Sequence, residues 1–309
     1  ALIDNAGDKT IYKAYVGKKL GKQDMVFFDS SFVDYAKWPN NTGDNNPIRA
    51  NTHDTTHPGL NDPWLFPTWA FIDSADGKPD GVALSDYYYG TIYDAELPFG
   101  EDELVGAEFL TKSGQGWYMY KGQITDSSAG SFFINGNMQF HEEYCPSATD
   151  EYMLYGKKIF LDYENEWFCD DEGYIYIITP DGTNPNEADI EVKTRLNAIE
   201  IGGNDYITIE GINLFAGEID MRGSNHTDVV GISMNYMNKG PVIDGDYNRF
   251  AESTIRHSLN ELITVGGKNN KVINNLMEYG SLDGANSAVN IHNALDVVVA
   301  YNTVRFVGN

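Results

Sequence analysis

The sequence has few cysteines, few basic residues and no long apolar run. Its 309 residues include two cysteines, and 46 acidic residues outnumber the 21 lysine and arginine residues. No stretch approaches the roughly 20 apolar residues that a membrane helix needs. The net charge of −25 opposes binding to nucleic acid and to anionic membrane surfaces. We therefore expect no nucleic-acid partner and no membrane insertion.

The chain also begins without a recognisable leader. Its first residues, ALIDNAGDKTIYKAY, have neither the basic start nor the apolar core of a signal peptide. We expect an extracellular or periplasmic protein whose signal was removed before Ala1.

The two cysteines leave two alternatives open. Cys145 and Cys169 lie in a region typical of strands, and their spacing matches no zinc or iron–sulfur pattern. They form either one disulfide or two buried thiols.

Helical periodicity is nearly absent as well. No 3.6-residue repeat of apolar residues extends beyond two turns, whereas short alternating stretches bounded by Gly, Asn and Asp recur throughout. Two of these stretches predict hairpins, one turning at Asn135-Gly136 and one at residues 171–173. The sequence predicts an all-β protein.

The character of the sequence changes near residue 195. Before it, aromatic strands alternate with long loops rich in Pro, Asp and Asn; after it, prolines almost vanish and short Val/Ile strands repeat. We expect three regions: N-terminal strands over 1–34, a β-sandwich-like region over 35–194, and solenoid coils over 195–309. The N-terminal strands could form a first coil of the solenoid.

A repeat supports the solenoid. The stretches VVGISMNYM, FAESTIRHS, VINNLMEYG and VVAYNTVRF place a small polar residue at one common position, namely Asn235, Ser253, Asn275 and Asn302. Steps of roughly 20 to 25 residues suit the coils of a β-solenoid. Asparagines at an inward corner can hydrogen-bond from coil to coil. A β-sandwich or an up-and-down barrel is the alternative.

Residues 195–309 resemble the right-handed parallel β-helix proteins related to pectate lyases, most clearly in DYITIEGINLF, NNKVINN and VVAYNTV. Earlier, VFFDSSFVDYAKWPN and NEWFCDDEGYIYIITPDGTNPN are similar to secreted β-helix enzymes, some β-xylosidase-like, in which a β-sandwich precedes or interrupts the coils. The resemblance implies a right-handed parallel β-helix, a secreted carbohydrate-active protein and a glycan substrate or ligand. The sequence ends at YNTVRFVGN in the rhythm of a coil, so we expect further chain or self-association there.

Strand alternation selects a candidate site. With Asn275 and Met277 inward, Glu278 faces outward, and its neighbours in adjacent coils are Arg256 and Arg305. The three residues form either a salt-bridge ladder or a column that binds or cleaves sugar. Two arginines would lower the pKa of Glu278, which favours a role as nucleophile or base.

Glycoside hydrolysis needs a second carboxylate. Asp283 is the nearest in sequence, and Asp244 and Asp246 are further candidates for catalysis or substrate binding. His257 and His292 could each serve as a general base near neutral pH, or as hydrogen-bonding spacers at coil corners.

No cofactor is required by these patterns, and calcium is the one cation for which the sequence offers ligands. Asp73, Asp76 and Asp80 lie in the loop DSADGKPDG, which resembles acidic calcium loops but does not match the EF-hand pattern. A solvated turn is the alternative.

These observations predict a glycan-cleaving enzyme that uses carboxylates with arginine support. Hydrolysis is slightly favoured over β-elimination, because a chain with a net charge of −25 suits a neutral glycan better than a polyuronate. The alternative is a non-catalytic extracellular β-helix that binds glycans or assembles into a surface layer or fibre.

Overall fold

The structure is a computed structural model that describes residues 2–6, 9–40, 69–76, 88–113, 118–136, 145–281 and 287–307. It divides into two compact units, Ala1–Val192 and Lys193–Asn309, called here the N-terminal unit and the solenoid. Among the described residues the regular structure consists of strands and short 3-10 turns without any α-helix. The all-β prediction is confirmed. Within the same residues, no helix has the length and apolarity to span a membrane.

The N-terminal unit contains two sheets. The strands of the first sheet are β1 Leu2–Ala6, β2 Lys9–Tyr15, β3 Val26–Phe28, β4 Ser31–Tyr35, β13 Glu166–Cys169, β14 Tyr174–Ile178 and β15 Ile190–Val192. They are ordered β1-β2-β14-β13-β4-β3-β15, and their pairing is antiparallel except between β4 and β13.

The strands of the second sheet are β5 Lys37–Trp38, β6 Ala70–Phe71, β7 Ser74–Asp76, β8 Tyr88–Tyr93, β9 Glu108–Ser113, β10 Tyr118–Ser128, β11 Ser131–Gly136 and β12 Glu151–Tyr155. They are ordered β5-β12-β9-β10-β11-β8-β7, with β6 also paired to β12. Side chains of both sheets share two buried clusters, as the presence of Tyr176 with Phe109 and of Trp167 with Leu110 illustrates. This arrangement is that of a β-sandwich.

Two sequence-based predictions fail in this unit. The strands within residues 1–34 do not form a coil, because β2 pairs antiparallel with β14 whereas solenoid coils stack in parallel. The expected turn at Asn135-Gly136 is wrong, since both residues continue β11 and pair with β8. The chain instead turns between Ser128 and Ser131, where Gly130 takes a φ of +75° that suits glycine.

Both cysteines are thiols, so that no disulfide joins them. Cys169 belongs to one buried cluster and Cys145 packs against the other. Of the two alternatives left open by the sequence, the structure has the thiols.

The solenoid consists of three parallel sheets, one per side of the coil. The first contains β16 Asn197–Glu200, β19 Glu218–Asp220, β22 Val242–Ile243, β25 Ile263–Lys268 and β28 Val289–Leu295. The second contains β17 Thr208–Glu210, β20 Asp228–Val230, β23 Arg249–Ala251, β26 Lys271–Ile273 and β29 Val298–Ala300. The third contains β18 Asn213–Phe215, β21 Ser233–Met237, β24 Thr254–Ser258, β27 Leu276–Gly280 and β30 Thr303–Val307. A parallel β-solenoid of about four turns is thus confirmed.

Inward side chains of successive coils stack in rows that fill the solenoid. Met234, Ile255 and Met277 are register partners on β21, β24 and β27 and are fully buried. On the last described coil the same row ends at Val304, which is 42% exposed. Self-association or a further coil at this end stays a prediction.

A polar ladder runs along the corner before the third sheet. The backbone N–H of Ser253 donates to Asn275 Oδ1 at 3.0 Å, and that of Asn275 donates to Asn302 Oδ1 at 2.9 Å, across steps of 22 and 27 residues. The predicted ladder is confirmed for these three residues and wrong for Asn235. The buried Ile232 holds the ladder position in its coil, where its N–H donates to Ser253 Oγ.

Candidate functional site

The outward face of the third sheet carries a charged column. Register pairing aligns Asn235 with Arg256, Arg256 with Glu278, and Glu278 with Arg305. Because side chains alternate along a strand, the inward Met277 places Glu278 on the outer face. The predicted alignment of Arg256, Glu278 and Arg305 is confirmed, whereas their chemical roles stay predictions.

Both arginines contact the carboxylate directly. Arg256 Nε donates to Glu278 Oε2 at 2.6 Å, and Arg305 Nε donates to Glu278 Oε1. The Glu278 side chain is only 2% exposed, while those of Arg256 and Arg305 are 43% and 55% exposed. Glu278 therefore lies outward, as predicted, but it does not present its carboxylate to solvent. The guanidinium groups form the accessible surface.

The charge state of Glu278 follows from these contacts. Burial by itself would raise the pKa of the carboxyl, but the hydrogen bonds and positive charges of Arg256 and Arg305 outweigh it and lower the pKa below its usual range. The carboxylate stays ionised near neutral pH. This arrangement disfavours Glu278 as a proton donor.

His257, the residue after Arg256, belongs to a stack of rings beside the column. Its ring centroid lies 4.8 Å from those of Tyr236 and Tyr279, and Tyr279 lies 5.2 Å from Phe306, with interplanar angles of 9–14°. His257 Nδ1 is 2.6 Å from Asn235 Oδ1. Burial, assisted by the nearby charge of Arg256, lowers the pKa of His257 to about 4. A neutral imidazole covered on both faces fits a structural role, and its role as a general base stays a prediction.

The stacked rings stand at a strained position. Tyr236, His257, Tyr279 and Phe306 have φ angles of +63°, +58°, +60° and +55°, a region that residues with a Cβ atom rarely adopt. Contact between successive rings helps to offset this strain, since aromatic pairs contribute about 0.5–1.5 kcal/mol beyond their buried area.

A second stack runs along another corner of the solenoid. Tyr206, His226 and Tyr247 lie 4.8 and 4.9 Å apart with interplanar angles of 1° and 2°, and all three have positive φ angles. Neither stack was predicted from the sequence. The signal available was a ring that recurs at the same place in successive coils.

Asp246 does not join the charged column. Asp246 Oδ1 accepts the backbone N–H of Lys268 at 2.9 Å, and the N–H of Asp246 donates to Asn225 Oδ1 at 2.8 Å. Asp246 thus takes part in a coil-to-coil ladder.

Asp244 and His292 belong to another side of the solenoid. Asp244 is exposed just after β22, and His292 is exposed on β28, so both are associated with the first sheet rather than the third. Asp283 lies outside the described residues. The column therefore unites Arg256, Glu278 and Arg305 without Asp244, Asp246 or His292.

The predicted calcium loop is described only in part. Asp73 Oδ2 accepts the N–H of Ala95 at 2.8 Å, and Asp76 Oδ2 accepts the hydroxyl of Tyr93 at 2.8 Å. Asp80 lies outside the described residues. Across the part of the chain that the structure describes, no three His, Cys, Asp or Glu side chains gather as metal ligands. A calcium site at this loop stays a prediction.

Comparisons with known proteins give little further guidance. No protein-family model and no curated protein matches the sequence. A solved structure described as "Glycoside hydrolase" is similar over 99% of this chain and 81% of its own, with 8% identity and a TM-score of 0.46. Another, "The complex structure of XylC with xylose", is similar over 75% of this chain and 47% of its own, with 12% identity and a TM-score of 0.37. At this identity and similarity, neither likeness supports an inference about activity.

Proposed function

We propose that the protein is carbohydrate-active and that it binds a glycan along the third sheet of the solenoid and cleaves it. The observation that carries the proposal is the pair of exposed guanidinium groups, Arg256 and Arg305, held on either side of Glu278. They stand two coils apart, which is about 10 Å at the usual spacing of neighbouring strands. Regularly spaced donors suit a polymer with regularly spaced oxygens.

The resemblance to pectate-lyase-like β-helix proteins supports the same proposal, since it rests on the sequence of the coils that carry the column. Between the two cleavage reactions we favour hydrolysis of a neutral glycan, because the net charge of −25 repels a polyuronate. The two guanidinium groups nevertheless form a local positive patch. A uronate would need such a patch to neutralise its carboxylate during β-elimination.

In this proposal Glu278 positions the two arginines, and other carboxylates cleave the glycan. A carboxylate with both oxygens bonded to arginine and 2% exposure reaches a sugar only if an arginine moves away. Asp283, three residues after β27 in the sequence, is the candidate for one of the two carboxylates that hydrolysis requires.

The covered state of Glu278 also favours a second candidate function, a non-catalytic glycan-binding β-helix. The same column would then bind the glycan, and no bond would be cleaved.

A panel of neutral and acidic glycans separates these functions. Hydrolysis releases new reducing ends, β-elimination also produces an ultraviolet-absorbing unsaturated sugar, and a non-catalytic protein gives binding alone in calorimetry. Absence of both cleavage and binding across the panel would contradict the proposal.

Substitution of the arginines tests the location of the site. Arg256→Ala and Arg305→Ala should each weaken glycan binding about tenfold, the loss expected when a charged hydrogen-bond donor is removed. The matched control is Arg249→Ala, because Arg249 on the second sheet is also outward, pairs with Asp228 and is 35% exposed. Equal losses of glycan affinity in all three variants would show that the third sheet is not the binding surface.

Glu278→Gln separates positioning from catalysis. If Glu278 only orients the arginines, the variant should bind glycan more weakly yet keep its turnover rate at saturating glycan. Loss of turnover with unchanged binding would instead identify Glu278 as a catalytic residue.

A further inference from the structure

A lysine, an asparagine and a glutamate meet where the solenoid begins. Lys193 Nζ lies 3.1 Å from Asn238 Oδ1 and 3.6 Å from Glu218 Oε1. Lys193 is the first residue of the solenoid unit, Glu218 begins β19, and Asn238 directly follows β21. Three separate segments thus bring an amine, an amide and a carboxyl group together.

All three residues are removed from water. Lys193, Glu218 and Asn238 are 6%, 7% and 7% exposed. Burial of a lysine favours its uncharged, nucleophilic form, and burial of a glutamate favours its protonated form. Water, the competing nucleophile, has little access to the amide.

The structure also fixes the orientation of the carboxyl group. Glu218 Oε1 accepts the backbone N–H groups of Asn238 and Lys239 at 3.1 and 3.2 Å. The carboxyl is therefore tied to the same residue whose side chain faces the lysine. Burial raises the pKa of Glu218, although Lys193 and the two N–H donors oppose the rise.

We propose that Lys193 and Asn238 form an intramolecular isopeptide bond, with Glu218 as the proton-transfer group. The asparagine Cγ is one carbonyl bond, about 1.2 Å, from the Oδ1 atom that Lys193 contacts. The amine and the amide carbon are thus held in one buried site, where they can react without a bimolecular encounter.

The reaction balances without an oxidant, metal or cofactor. Proton transfer from the Lys193 ammonium to Glu218 gives a neutral amine and a neutral acid. The amine attacks Asn238 Cγ and forms the new C–N bond, while Glu218 protonates the developing amide oxygen. The leaving nitrogen then takes up a proton from the attacking nitrogen, and the C–Nδ2 bond breaks. The carbonyl re-forms as the oxygen returns its proton to Glu218, which passes it to the released ammonia. Ammonium departs, and Glu218 is again a carboxylate.

The bond would link the start of the solenoid to its second coil. It closes a loop across a separation of 45 residues, and a covalent link of this kind restricts the unfolded chain as a disulfide does. Unlike a disulfide, it is insensitive to reductants.

Intact mass measurement of the whole denatured chain tests the proposal. The expected mass is lower than the sequence mass by one ammonia, and proteolysis should release a branched peptide that joins residues 193 and 238. Succinimide formation at an asparagine also releases ammonia, but it yields no branched peptide and is reversed by mild base. A full sequence mass, or ammonia loss without the branched peptide, would overturn the proposal.

Variants identify the chemistry. Lys193→Arg and Asn238→Ala should each restore the full mass and lower the thermal midpoint, and Glu218→Gln should restore it because the proton-transfer group is lost. The matched control is Lys239→Arg, whose side chain is more exposed and faces Glu261, and it should keep the linkage. Because the natural chain decides the question alone, a variant that fails to fold does not affect the test.

Discussion

The two units bury polar groups in different ways. In the N-terminal unit the largest buried side chains are aromatic, such as Trp69, Trp167 and Tyr152, and its buried carboxyl groups, Asp94 and Glu166, lie in different surroundings. Glu166 is 3% exposed, and among the described residues its Oε2 atom has no hydrogen-bond partner. Irregular strand pairing gives a buried polar group an environment that neighbouring strands do not repeat.

The solenoid instead buries neutral amides in ladders. Asn275 Oδ1 accepts from Ser253, and Asn275 Nδ2 donates to Phe250 O and Asn302 Oδ1 at 3.1 and 3.0 Å. A second ladder links Thr227, Asn248 and Asn270 in the same manner. Repetition lets one residue type satisfy the same backbone groups in successive coils, so these ladders carry no charge.

The largest expected effect comes from breaking a ladder. Asn275→Ala leaves several buried polar groups without partners, and we expect the solenoid to lose about 2–4 kcal/mol of unfolding free energy. Amide hydrogen exchange on β24, β27 and β30 measures the loss. All five tryptophans precede residue 193, so tryptophan fluorescence monitors the N-terminal unit separately.

The control is Asn213→Ala, an exposed asparagine on β18, which should change stability by less than about 0.5 kcal/mol. Equal effects of the two substitutions would refute the ladder as the source of stability.

The N-terminal unit should lose stability as the pH rises. Burial, with the charges of Asp34 and Asp162, raises the pKa of Glu166 against the opposing effect of Lys37. The folded unit therefore holds this proton more tightly than the unfolded chain. The stability that protonated Glu166 contributes is complete below the ordinary carboxyl pKa of 4.5. It is lost as the pH rises through the pKa of Glu166 in the folded state.

Glu166→Gln should reduce this decline by an amount on the order of 2 kcal/mol, as measured by urea unfolding with tryptophan fluorescence across the pH range. Glu172→Gln, at an exposed position in the same unit, serves as the control. If stability declines with pH in the same way in the Glu166 variant, groups other than Glu166 cause the decline.

The solenoid should respond to pH in the opposite sense. The pKa of His257 is lowered from 6.5 to about 4 by burial and by Arg256, so the folded state binds this proton less readily than the unfolded chain. Stability from the neutral ring is present above pH 6.5 and is lost as the pH falls toward 4.

His257→Phe keeps a ring in the stack and should remove a loss on the order of 1 kcal/mol, measured by hydrogen exchange of β24 and β27 at several pH values. His226→Phe, in the exposed second stack, is the control. If the two variants show the same pH dependence of stability, burial of His257 is not the cause of the solenoid's loss of stability in acid.

Much of the solenoid could be predicted because its information is local and repeated. Asn275, Met277 and Glu278 follow from strand alternation, and Arg256 and Arg305 follow from the coil period. Asn235 was misplaced because its coil has the apolar Ile232 at the ladder position, so a polar residue three positions later was aligned in its stead. The shielding of the Glu278 carboxylate by the two arginines depends on side-chain conformations, which the coil period does not encode.

The N-terminal unit was less predictable because its pairings join distant segments. The sequence alone determined the all-β class, the change near residue 195, the coil period and the alignment of Arg256, Glu278 and Arg305. Only the tertiary structure decided that β2 pairs with β14, that arginines cover Glu278, and that Lys193, Glu218 and Asn238 meet. The physical reason is that alternation and repetition are properties of neighbouring residues, whereas burial and contact depend on which remote segments close over a side chain.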